Sequence, residues 1–376
     1  MKIGIDARMY STQFTGIGRY VYELIRNLAE IETSLPKPQK NEYVLFFNDP
    51  EYERFQCPNK FFHKIRVNAR HYSFDEQMSY LQILRLQKLD IMHFTHFNAP
   101  IFYHAPSIVT IHDLILSFFP GKKMTKPWHR FGYHFTLKSI LRNSKKIIAV
   151  SQHTKQDIID LYNIPPEKIQ VVYEAVSPEF RTLKKFEYEH VKKLFHLDRP
   201  FILYAGVHRN HKNLVNLVRA FHLLRTQYQR DILLVMTGKE DLVFYPEVRE
   251  AVRDLKMEPF VRFPGMIEEK NLVALYNAAL TYVQPSFYEG FGLNILEAFA
   301  CGCPVVASNT SCMKEIAGAN NALFFHPKNY HNMAEVMHSL ISDPSLQTQL
   351  KERGKFRIKD FSWRKMASET LHVYTS

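Results

Sequence analysis

The sequence lacks any long apolar run, although 46% of its 376 residues are hydrophobic. A helix that crosses a membrane needs about 20 consecutive apolar residues, and no stretch of this chain approaches that length. The first ten residues contain Asp6 and Arg8 within a short strand pattern, which is not typical of a signal peptide. These features predict a globular protein without a membrane-spanning segment.

Cysteine is also scarce. The four cysteines have neither the spacing of a structural zinc site nor that of a disulfide framework (Cys57, Cys301, Cys303 and Cys312). A D-x-D metal-binding motif does not occur anywhere in the sequence. We therefore expect a protein of a reducing cytoplasm that needs no metal ion and no other cofactor.

Acidic residues are outnumbered by basic ones, and the formal net charge is +12. Residues 1–180 contain 23 Lys and Arg against 17 Asp and Glu, and the remainder contains 26 against 20, so each part is near +6. Charge spread this evenly favours general attraction to anions over a single nucleic-acid-binding face. A nucleotide, an anionic polysaccharide and peripheral contact with an acidic membrane all fit, whereas nucleic acid is not an expected partner.

The chain is long enough for two domains, and its most informative stretch runs from 280 to 308. A short apolar strand (280–283) is followed by a glycine turn, a helix-like segment (293–300) and a second strand (304–307). This βαβ unit places the turn at the carboxyl edge of a parallel sheet. The amino terminus of the helix would attract an anion there through its unpaired N–H groups.

Two carboxylates accompany this anion site: Glu289 on the turn and Glu297 eight residues later on the helix. A nucleotide sugar satisfies both features, because it offers a diphosphate to the helix and hydroxyl groups to the glutamates. The alternative is structural, with Glu289 capping the helix and Glu297 solvated on its outer face.

The pattern E-x-F-G-x-x-x-x-E, followed by E-A-x-A-x-G-x-P-V-V-A-S, resembles the carboxy-terminal signature of retaining glycosyltransferases of family 4. The resemblance extends over nearly the whole chain and implies the α/β fold called GT-B, in which two Rossmann-like parallel-sheet domains face each other across a cleft. It implies an acceptor-side domain at 1–180, a linker region at 181–198 and a nucleotide-sugar-binding domain at 199–360. A final helix at about 361–376 would cross back onto the first domain.

The first strand-loop-helix unit contains Gly16, Gly18 and Arg19. By themselves the glycines predict either an anion-binding loop or a tight turn that lets the helix pack closely. The string D-A-R followed by T-G-I-G-R-Y resembles a branch of family 4 that includes bacterial mannosyltransferases of surface-polysaccharide synthesis. That resemblance implies donor-phosphate contacts at the two glycines and an acceptor contact at Arg19.

His112 and Asp113 directly follow an apolar strand, 107–111. A histidine at the carboxyl end of a parallel strand faces the ligand crevice in such folds, and T-I-H-D-L is similar to the family motif V-x-H-D-L. The resemblance implies that His112 is a catalytic residue at the reacting sugar. Asp113 would orient it or contact the acceptor. For His93 and His96, an ordinary packing or surface position is the preferred interpretation.

A third strand-loop-helix unit contains Gly206, Arg209 and Lys212. Two cations at a helix amino terminus form a diphosphate clamp whose charge substitutes for a metal ion. Lys212 matches the family motif G-x-x-x-P-R-K-N, whereas Arg209 lies two residues from the usual arginine position. A solvated basic turn is the structural alternative.

The resemblance also implies how the nucleotide sugar is held. Backbone groups at Gly265 and Met266 would bind the nucleobase, while Glu289 would bind the sugar hydroxyls and Glu297 the ribose diol. The other expected donor-binding residues are Gly206, Gly290, Phe291, Gly292 and Leu293.

Residues 118–142 combine aromatic and basic side chains and allow two interpretations. The residues concerned are Phe118, Phe119, Trp128, Phe131 and Phe135 with Lys122, Lys123, Lys126, Arg130 and Lys138. Such a stretch can lie on a membrane surface or hold a lipid-linked or anionic acceptor. Alternatively, it is a helix whose apolar face packs on the sheet while its basic residues are solvated.

Together these features predict a retaining, metal-independent transfer of a sugar from a nucleotide sugar to a hydroxyl acceptor. The branch resemblance favours GDP-mannose as donor and a saccharide or lipid-linked saccharide of a bacterial surface polymer as acceptor. Three alternatives remain: a glycoside hydrolase that uses Glu289 and Glu297, a non-enzymatic binder of anionic polymer or membrane, and a GT-B epimerase of nucleotide sugars.

Overall fold

The structure is a computed structural model that describes residues 1–10, 16–36, 40–71, 73–121, 127–241 and 244–376. It contains two compact units, the first formed by Met1–Glu174 with Ser362–Ser376 and the second by Ala175–Phe361. Each unit is built on a parallel sheet with fully buried central strands, as expected where helices cover both faces. Two parallel-sheet α/β units confirm the predicted fold class.

The first unit contains a seven-stranded sheet in the order β3-β2-β1-β4-β5-β6-β7. Its strands are β1 (Lys2–Asp6), β2 (Glu42–Phe47), β3 (Phe62–Arg66), β4 (Ile91–Phe94), β5 (Ser107–Ile111), β6 (Lys146–Ala149) and β7 (Ile169–Val171). The strand order reverses between β1 and β4, which pair in parallel. Open α/β sheets bind ligands beyond the carboxyl ends of the strands at such a reversal.

Helices of the first unit connect these strands. They are α1 (Gly16–Ser34), α2 (Glu51–Arg54), α3 (Leu81–Leu86, after a π-helical turn at Glu76–Tyr80), α4 (Ile115–Phe118), α5 (Pro127–Asn143), α6 (Gln152–Tyr162) and the carboxy-terminal helix (Trp363–Thr375). The side chain of Ser151 accepts a hydrogen bond from Thr154 N at 3.0 Å and caps the amino terminus of α6.

The carboxy-terminal helix returns to the first unit and packs against α1. Its Tyr374 hydroxyl bonds to Nδ1 of His93 at 2.7 Å, and Nε2 of His93 bonds to the Thr110 hydroxyl at 2.8 Å. His93 is fully buried, so the packing interpretation of this residue is confirmed.

The second unit contains a six-stranded sheet in the order β10-β9-β8-β11-β12-β13. Its strands are β8 (Phe201–Ala205), β9 (Leu233–Thr237), β10 (Val261–Gly265), β11 (Thr281–Gln284), β12 (Val305–Ser308) and β13 (Leu323–Phe325). Here the order reverses between β8 and β11, which pair in parallel. The turns that follow these two strands therefore lie side by side at the carboxyl edge of the sheet.

Nine helices of the second unit lie within the described ranges. They are α7 (Lys185–Tyr188), α8 (His190–Leu194), α9 (Leu214–Thr226), α10 (Tyr245–Asp254), α11 (Glu269–Ala278), α12 (Leu293–Ala300), α13 (Met313–Ala317), α14 (Tyr330–Ser342) and α15 (Pro344–Arg357). In α9, Leu217, Phe221 and Leu224 recur at helical spacing and join the apolar core of this unit.

The segment 181–198, predicted to be a linker, instead belongs to the second unit, which begins at Ala175 rather than 199. It forms α7 and α8, and both pack against α11. Val191 and Leu197 are buried, and the backbone N–H of Leu183 donates to Oδ1 of Asn277 at 2.7 Å. The apolar residues of this highly charged segment are thus buried by tertiary contacts that the local sequence does not indicate.

The aromatic-basic segment at 118–142 has two faces. One face of α5 packs into the core of the first unit through Tyr133, Leu137, Ile140 and Leu141, as the packing interpretation predicts. On the other face, Trp128, Phe131 and Phe135 are exposed by 63%, 73% and 54%. The predicted basic residues Lys122, Lys123 and Lys126 lie outside the described residues. No helix within the described ranges is long and apolar enough to span a bilayer.

Candidate active site

His112 follows β5 at the carboxyl edge of the first sheet, where the sequence places it. Its Nδ1 lies 2.9 Å from Oε1 of Glu174, and its Nε2 lies 2.9 Å from the carbonyl oxygen of Thr95. A carbonyl oxygen only accepts, so Nε2 of His112 donates to Thr95 and Nδ1 faces the Glu174 carboxyl group. The rings of His112 and Tyr20 also pack in a T-shaped arrangement, with centroids 4.8 Å apart.

The carboxylate that orients His112 is therefore Glu174 and not Asp113. Oδ1 of Asp113 accepts from the backbone N–H of Ile115 at 3.0 Å, which fixes the start of α4. Sequence reasoning missed Glu174, although it lies three residues after the last strand of the first sheet. A charged residue shortly after a strand is the sequence signal that could have identified it, and in the structure Glu174 is only 5% exposed.

A buried ionic cluster fixes the D-A-R string at the end of β1. The Arg8 guanidinium contacts Asp6 at 2.7 Å and Glu76 at 2.8 Å, and it lies 4.2 Å from the centre of the Tyr80 ring. Of the loop that follows, residues 11–15 lie outside the described residues. Gly16 is the first residue of α1, so Gly16, Gly18 and Arg19 form its first turn.

In the second unit, the turns after β8 and β11 bring Lys212 and Glu289 into direct contact. Nζ of Lys212 lies 2.5 Å from Oε1 of Glu289, and the two side chains are only 14% and 11% exposed. The same carboxylate oxygen accepts hydrogen bonds from Nε2 of Gln284 and from the Ser286 hydroxyl, each at 2.6 Å. Three donors thus surround one oxygen of a buried carboxylate.

This arrangement keeps Glu289 ionised. Burial by itself opposes ionisation, but the charge of Lys212 and the hydrogen bonds from Lys212 and Ser286 outweigh it, and they lower the pKa of the Glu289 carboxyl group. An ionised carboxylate can accept hydrogen bonds from sugar hydroxyls, but it cannot donate a proton to a leaving group. The structural alternative for Glu289, a simple helix cap, does not describe these contacts.

Backbone and amide contacts hold the two turns together. The side-chain amide of Asn213 donates to the carbonyl oxygens of Pro285 at 3.0 Å and Pro327 at 2.7 Å. The N–H of Phe287 donates to the carbonyl of His211 at 2.8 Å. Since these contacts flank Lys212 on one turn and Glu289 on the other, the fold places the two residues next to each other.

Arg209 is placed differently from the clamp that the sequence predicts. Its side chain is 56% exposed and its Nε lies 3.9 Å from Oδ2 of Asp241. Lys212 and Arg209 leave the same loop, but in this structure they contact different carboxylates. Gly206 begins this loop, and its neighbour Gly238 has no room for a side chain, because a Cβ there would lie 1.9 Å from the Gly206 carbonyl oxygen.

Glu297 lies on α12 and accepts hydrogen bonds from a different set of side chains than Glu289. The Tyr276 hydroxyl donates to its Oε2 at 3.0 Å, and the Asn294 amide donates to the same oxygen at 3.2 Å. Gly292 precedes α12 with φ of 87°, a conformation that glycine adopts without strain. The Phe291 ring is buried against Phe361, so a ligand would meet this residue through its backbone.

The remaining predicted donor-binding residues lie at the same edge of the second sheet. Gly290 and Leu293 flank the turn that leads into α12. Gly265 ends β10, and its carbonyl accepts from Gly238 N at 2.9 Å and from the Thr237 hydroxyl at 2.7 Å. Met266 follows with 69% of its surface exposed.

Two Rossmann-like units, with an ion pair and a carboxylate-bearing helix at the strand reversal of the second, are the features expected of the GT-B fold. The family profile described as Glycosyltransferase Family 4 matches residues 14–180, and the profile described as Glycosyl transferases group 1 matches residues 185–357. The chain is 30% identical over 399 aligned positions to O-antigen chain mannosyltransferase B of Escherichia coli, covering 100% of this chain and 99% of that protein. The chain belongs to glycosyltransferase family 4.

Solved structures share the fold at lower identity. Sucrose-phosphate synthase from Thermosynechococcus elongatus superposes with a TM-score of 0.78 at 18% identity, covering 100% of this chain and 98% of that one. Anabaena HepE in complex with UDP and glucose superposes with a TM-score of 0.77 at 15% identity, covering 100% and 99%. At these identities the similarity establishes the fold alone.

Proposed function

We propose that this glycosyltransferase moves mannose from GDP-mannose, with retention of configuration, to a hydroxyl group of a saccharide or lipid-linked saccharide in bacterial surface-polysaccharide synthesis. The observation that carries the proposal is the Lys212–Glu289 pair at the strand reversal of the second unit, at 2.5 Å. The choice of mannose rests on the similarity to the O-antigen mannosyltransferase of Escherichia coli.

In this proposal Lys212 binds the donor diphosphate, together with the N–H groups at the start of α12. Negative charge grows on the leaving phosphate as the glycosidic bond breaks, so a fixed ammonium stabilises the transition state more than the ground state. The Lys212 ammonium thereby neutralises the charge that a divalent cation would otherwise neutralise, and we propose that the reaction needs no metal. A leaving-phosphate oxygen takes the proton of the acceptor hydroxyl as the new bond forms on the same face.

The two glutamates and His112 have separate tasks. Glu289 accepts hydrogen bonds from the donor sugar, and Glu297 binds the ribose diol. His112, oriented by Glu174, contacts the reacting sugar, while Arg19 and Asp113 are the proposed acceptor contacts. A retaining glycoside hydrolase would instead need one proton-donating and one nucleophilic carboxyl group, and the lowered pKa of Glu289 does not favour it as the proton donor.

The proposal is tested by melting-temperature measurements with UDP, GDP, ADP and their sugars in the presence of EDTA. A ligand that binds only the folded chain stabilises it by about 2.7 kcal/mol at a concentration 100 times its dissociation constant. We expect GDP and GDP-mannose to raise the melting temperature more than the other nucleotides and nucleotide sugars. A discontinuous assay should then detect transfer of mannose from GDP-mannose. A shift that appears only when Mg²⁺ or Mn²⁺ replaces EDTA would contradict metal independence, and a response confined to UDP compounds would contradict the donor.

We further propose that the first unit docks on the cytoplasmic surface of an anionic membrane through the outer face of α5. Trp128, Phe131 and Phe135 recur at helical spacing on this face, and the last two rings are 6.2 Å apart. No Asp or Glu occurs from 114 to 156, a span that contains Lys122, Lys123, Lys126, Arg130, Lys138, Arg142, Lys145, Lys146 and Lys155. Exposed aromatic side chains in a stretch of sequence that is basic and free of acidic residues fit an acidic lipid headgroup layer.

Vesicle co-sedimentation measures this contact. Replacing Trp128, Phe131 and Phe135 with alanine is expected to weaken binding to phosphatidylglycerol-containing vesicles at least about 100-fold, because each buried ring contributes about 1.5–3 kcal/mol. Phe186→Ala removes an equally exposed aromatic side chain, 74% accessible, from the second unit and serves as the control. Equal binding to phosphatidylcholine vesicles, or binding insensitive to the triple substitution, would refute the contact.

A further inference from the structure

Gln284, the last residue of β11, is a buried polar residue that no sequence motif singled out. It is 1% exposed, and its amide nitrogen lies 2.6 Å from Oε1 of Glu289 and 2.9 Å from the Ser286 hydroxyl. On its other side, the Tyr282 hydroxyl hydrogen-bonds to Oε1 of Gln284. The side chain therefore connects the interior of the second sheet to the proposed donor site.

The orientation of this amide follows from its partners. An amide oxygen can only accept, so the Tyr282 hydroxyl must donate to it. The opposite orientation would place the amide oxygen against the ionised Oε1 of Glu289, which is also only an acceptor. Gln284 is consequently a fixed donor to Glu289, and Ser286 is a second neutral donor to the same oxygen at 2.6 Å.

We propose that Gln284 is a positioning residue that holds Glu289 in place so that Lys212 can leave it and bind the donor diphosphate. The inference rests on the proposed function of the site. The proposed diphosphate-binding cation is paired with the proposed sugar-binding carboxylate, Nζ to Oε1, at 2.5 Å. In this proposal the diphosphate and Glu289 compete for the Lys212 ammonium.

The neutral donors Gln284 and Ser286 determine the free-energy cost of moving Lys212 from Glu289 to the diphosphate. When Lys212 moves to the diphosphate, the buried Glu289 carboxylate keeps hydrogen bonds from Gln284 and Ser286, so its charge is not left unsatisfied. Without Gln284, the carboxylate would depend more on Lys212 and would hold it more tightly. Gln284 thereby lowers the free-energy cost of donor binding and keeps the sugar-binding carboxylate oriented.

The test is a double-mutant cycle on GDP binding, measured by calorimetry with Gln284→Met, Glu289→Gln and the double variant. Gln284→Met is expected to weaken GDP binding about 10-fold and to lower kcat about 10- to 100-fold, since a hydrogen bond to a charged group is lost. In the Glu289→Gln background, Gln284→Met should leave GDP affinity unchanged, because no carboxylate remains to retain Lys212. A side chain with only a structural role would weaken binding equally in both backgrounds.

A matched control is available on the same strand. Thr281 is fully buried and donates to the Pro304 carbonyl at 3.0 Å, so Thr281→Val should lower the melting temperature without changing GDP affinity. If Gln284→Met does not fold, Ser286→Ala removes the other neutral donor and should act in the same direction.

Two outcomes contradict the inference in different ways. If the effects in the cycle are additive while the wild type binds GDP and transfers mannose, the positioning role of Gln284 is wrong but the proposed function stands. Failure of the wild type to bind any nucleotide would overturn the proposed function and this inference with it.

Discussion

Replacing Lys212 with methionine is expected to reduce mannose transfer about 1,000-fold and to abolish the stabilisation of the chain by GDP. Removing one neutral hydrogen-bond donor that stabilises developing negative charge lowers kcat by roughly 10²- to 10³-fold. Removing a charged ammonium should lower kcat by an amount at the upper end of this range. Methionine keeps the length and the apolar stem of lysine but removes the charge. The loss should therefore appear in kcat as well as in GDP affinity.

The same substitution should also lower stability, because it leaves Glu289 without its ion-pair partner. Removing one member of a buried pair costs about 3–5 kcal/mol, and the hydrogen bonds from Gln284 and Ser286 should reduce this cost. Kinetic assays and melting curves on the same preparation separate the two effects. Lys185→Met is the control, since Lys185 is 75% exposed on α7 and pairs with Glu189 at 3.6 Å. A Lys212→Met enzyme with normal kcat and GDP affinity would refute the diphosphate role.

Glu289→Gln is expected to separate nucleotide binding from transfer. Glutamine is nearly isosteric but neutral, so Lys212 loses the partner that competes with the diphosphate. GDP should therefore bind at least as tightly as it binds the wild type. Transfer should nevertheless fall about 100- to 1,000-fold, because the charged acceptor for the donor sugar hydroxyls is lost from a buried site.

Calorimetry with GDP and a mannose-transfer assay measure the two quantities in parallel. The matched control is Glu189→Gln, which neutralises a carboxylate of the same unit that is 48% exposed. Parallel losses of GDP affinity and transfer in Glu289→Gln would contradict the competition between carboxylate and diphosphate. Unchanged transfer would show that Glu289 does not contact the donor sugar.

The sequence predicted the two parallel-sheet units and most of the residues at their carboxyl edges. Each of His112, Lys212 and Glu289 lies shortly after a short apolar run, and such a run in an α/β chain marks a buried parallel strand. The glycine turn and α12 were likewise readable, because Gly292, the apolar residues of 293–300 and the following Pro304 are local signals. These features depend on residues close together in the chain.

The segment 181–198 shows where local signals failed. It was predicted to be a linker between the two domains, yet it folds as α7 and α8 and packs on α11. The residues that stabilise it, such as Asn277, lie far away in the sequence. The exposed aromatic face of α5 was ambiguous for the same reason, because burial depends on what the rest of the chain leaves uncovered.

By itself, then, the sequence determined which side chains reach the carboxyl edges of the sheets, since strand ends and helix starts are encoded locally. Only the tertiary structure decided their partners. Lys212 and Glu289 are 77 positions apart, and His112 and Glu174 are 62 apart. Their contacts arise from the order of strands in each sheet, and that order is set by long-range packing that no local periodicity records.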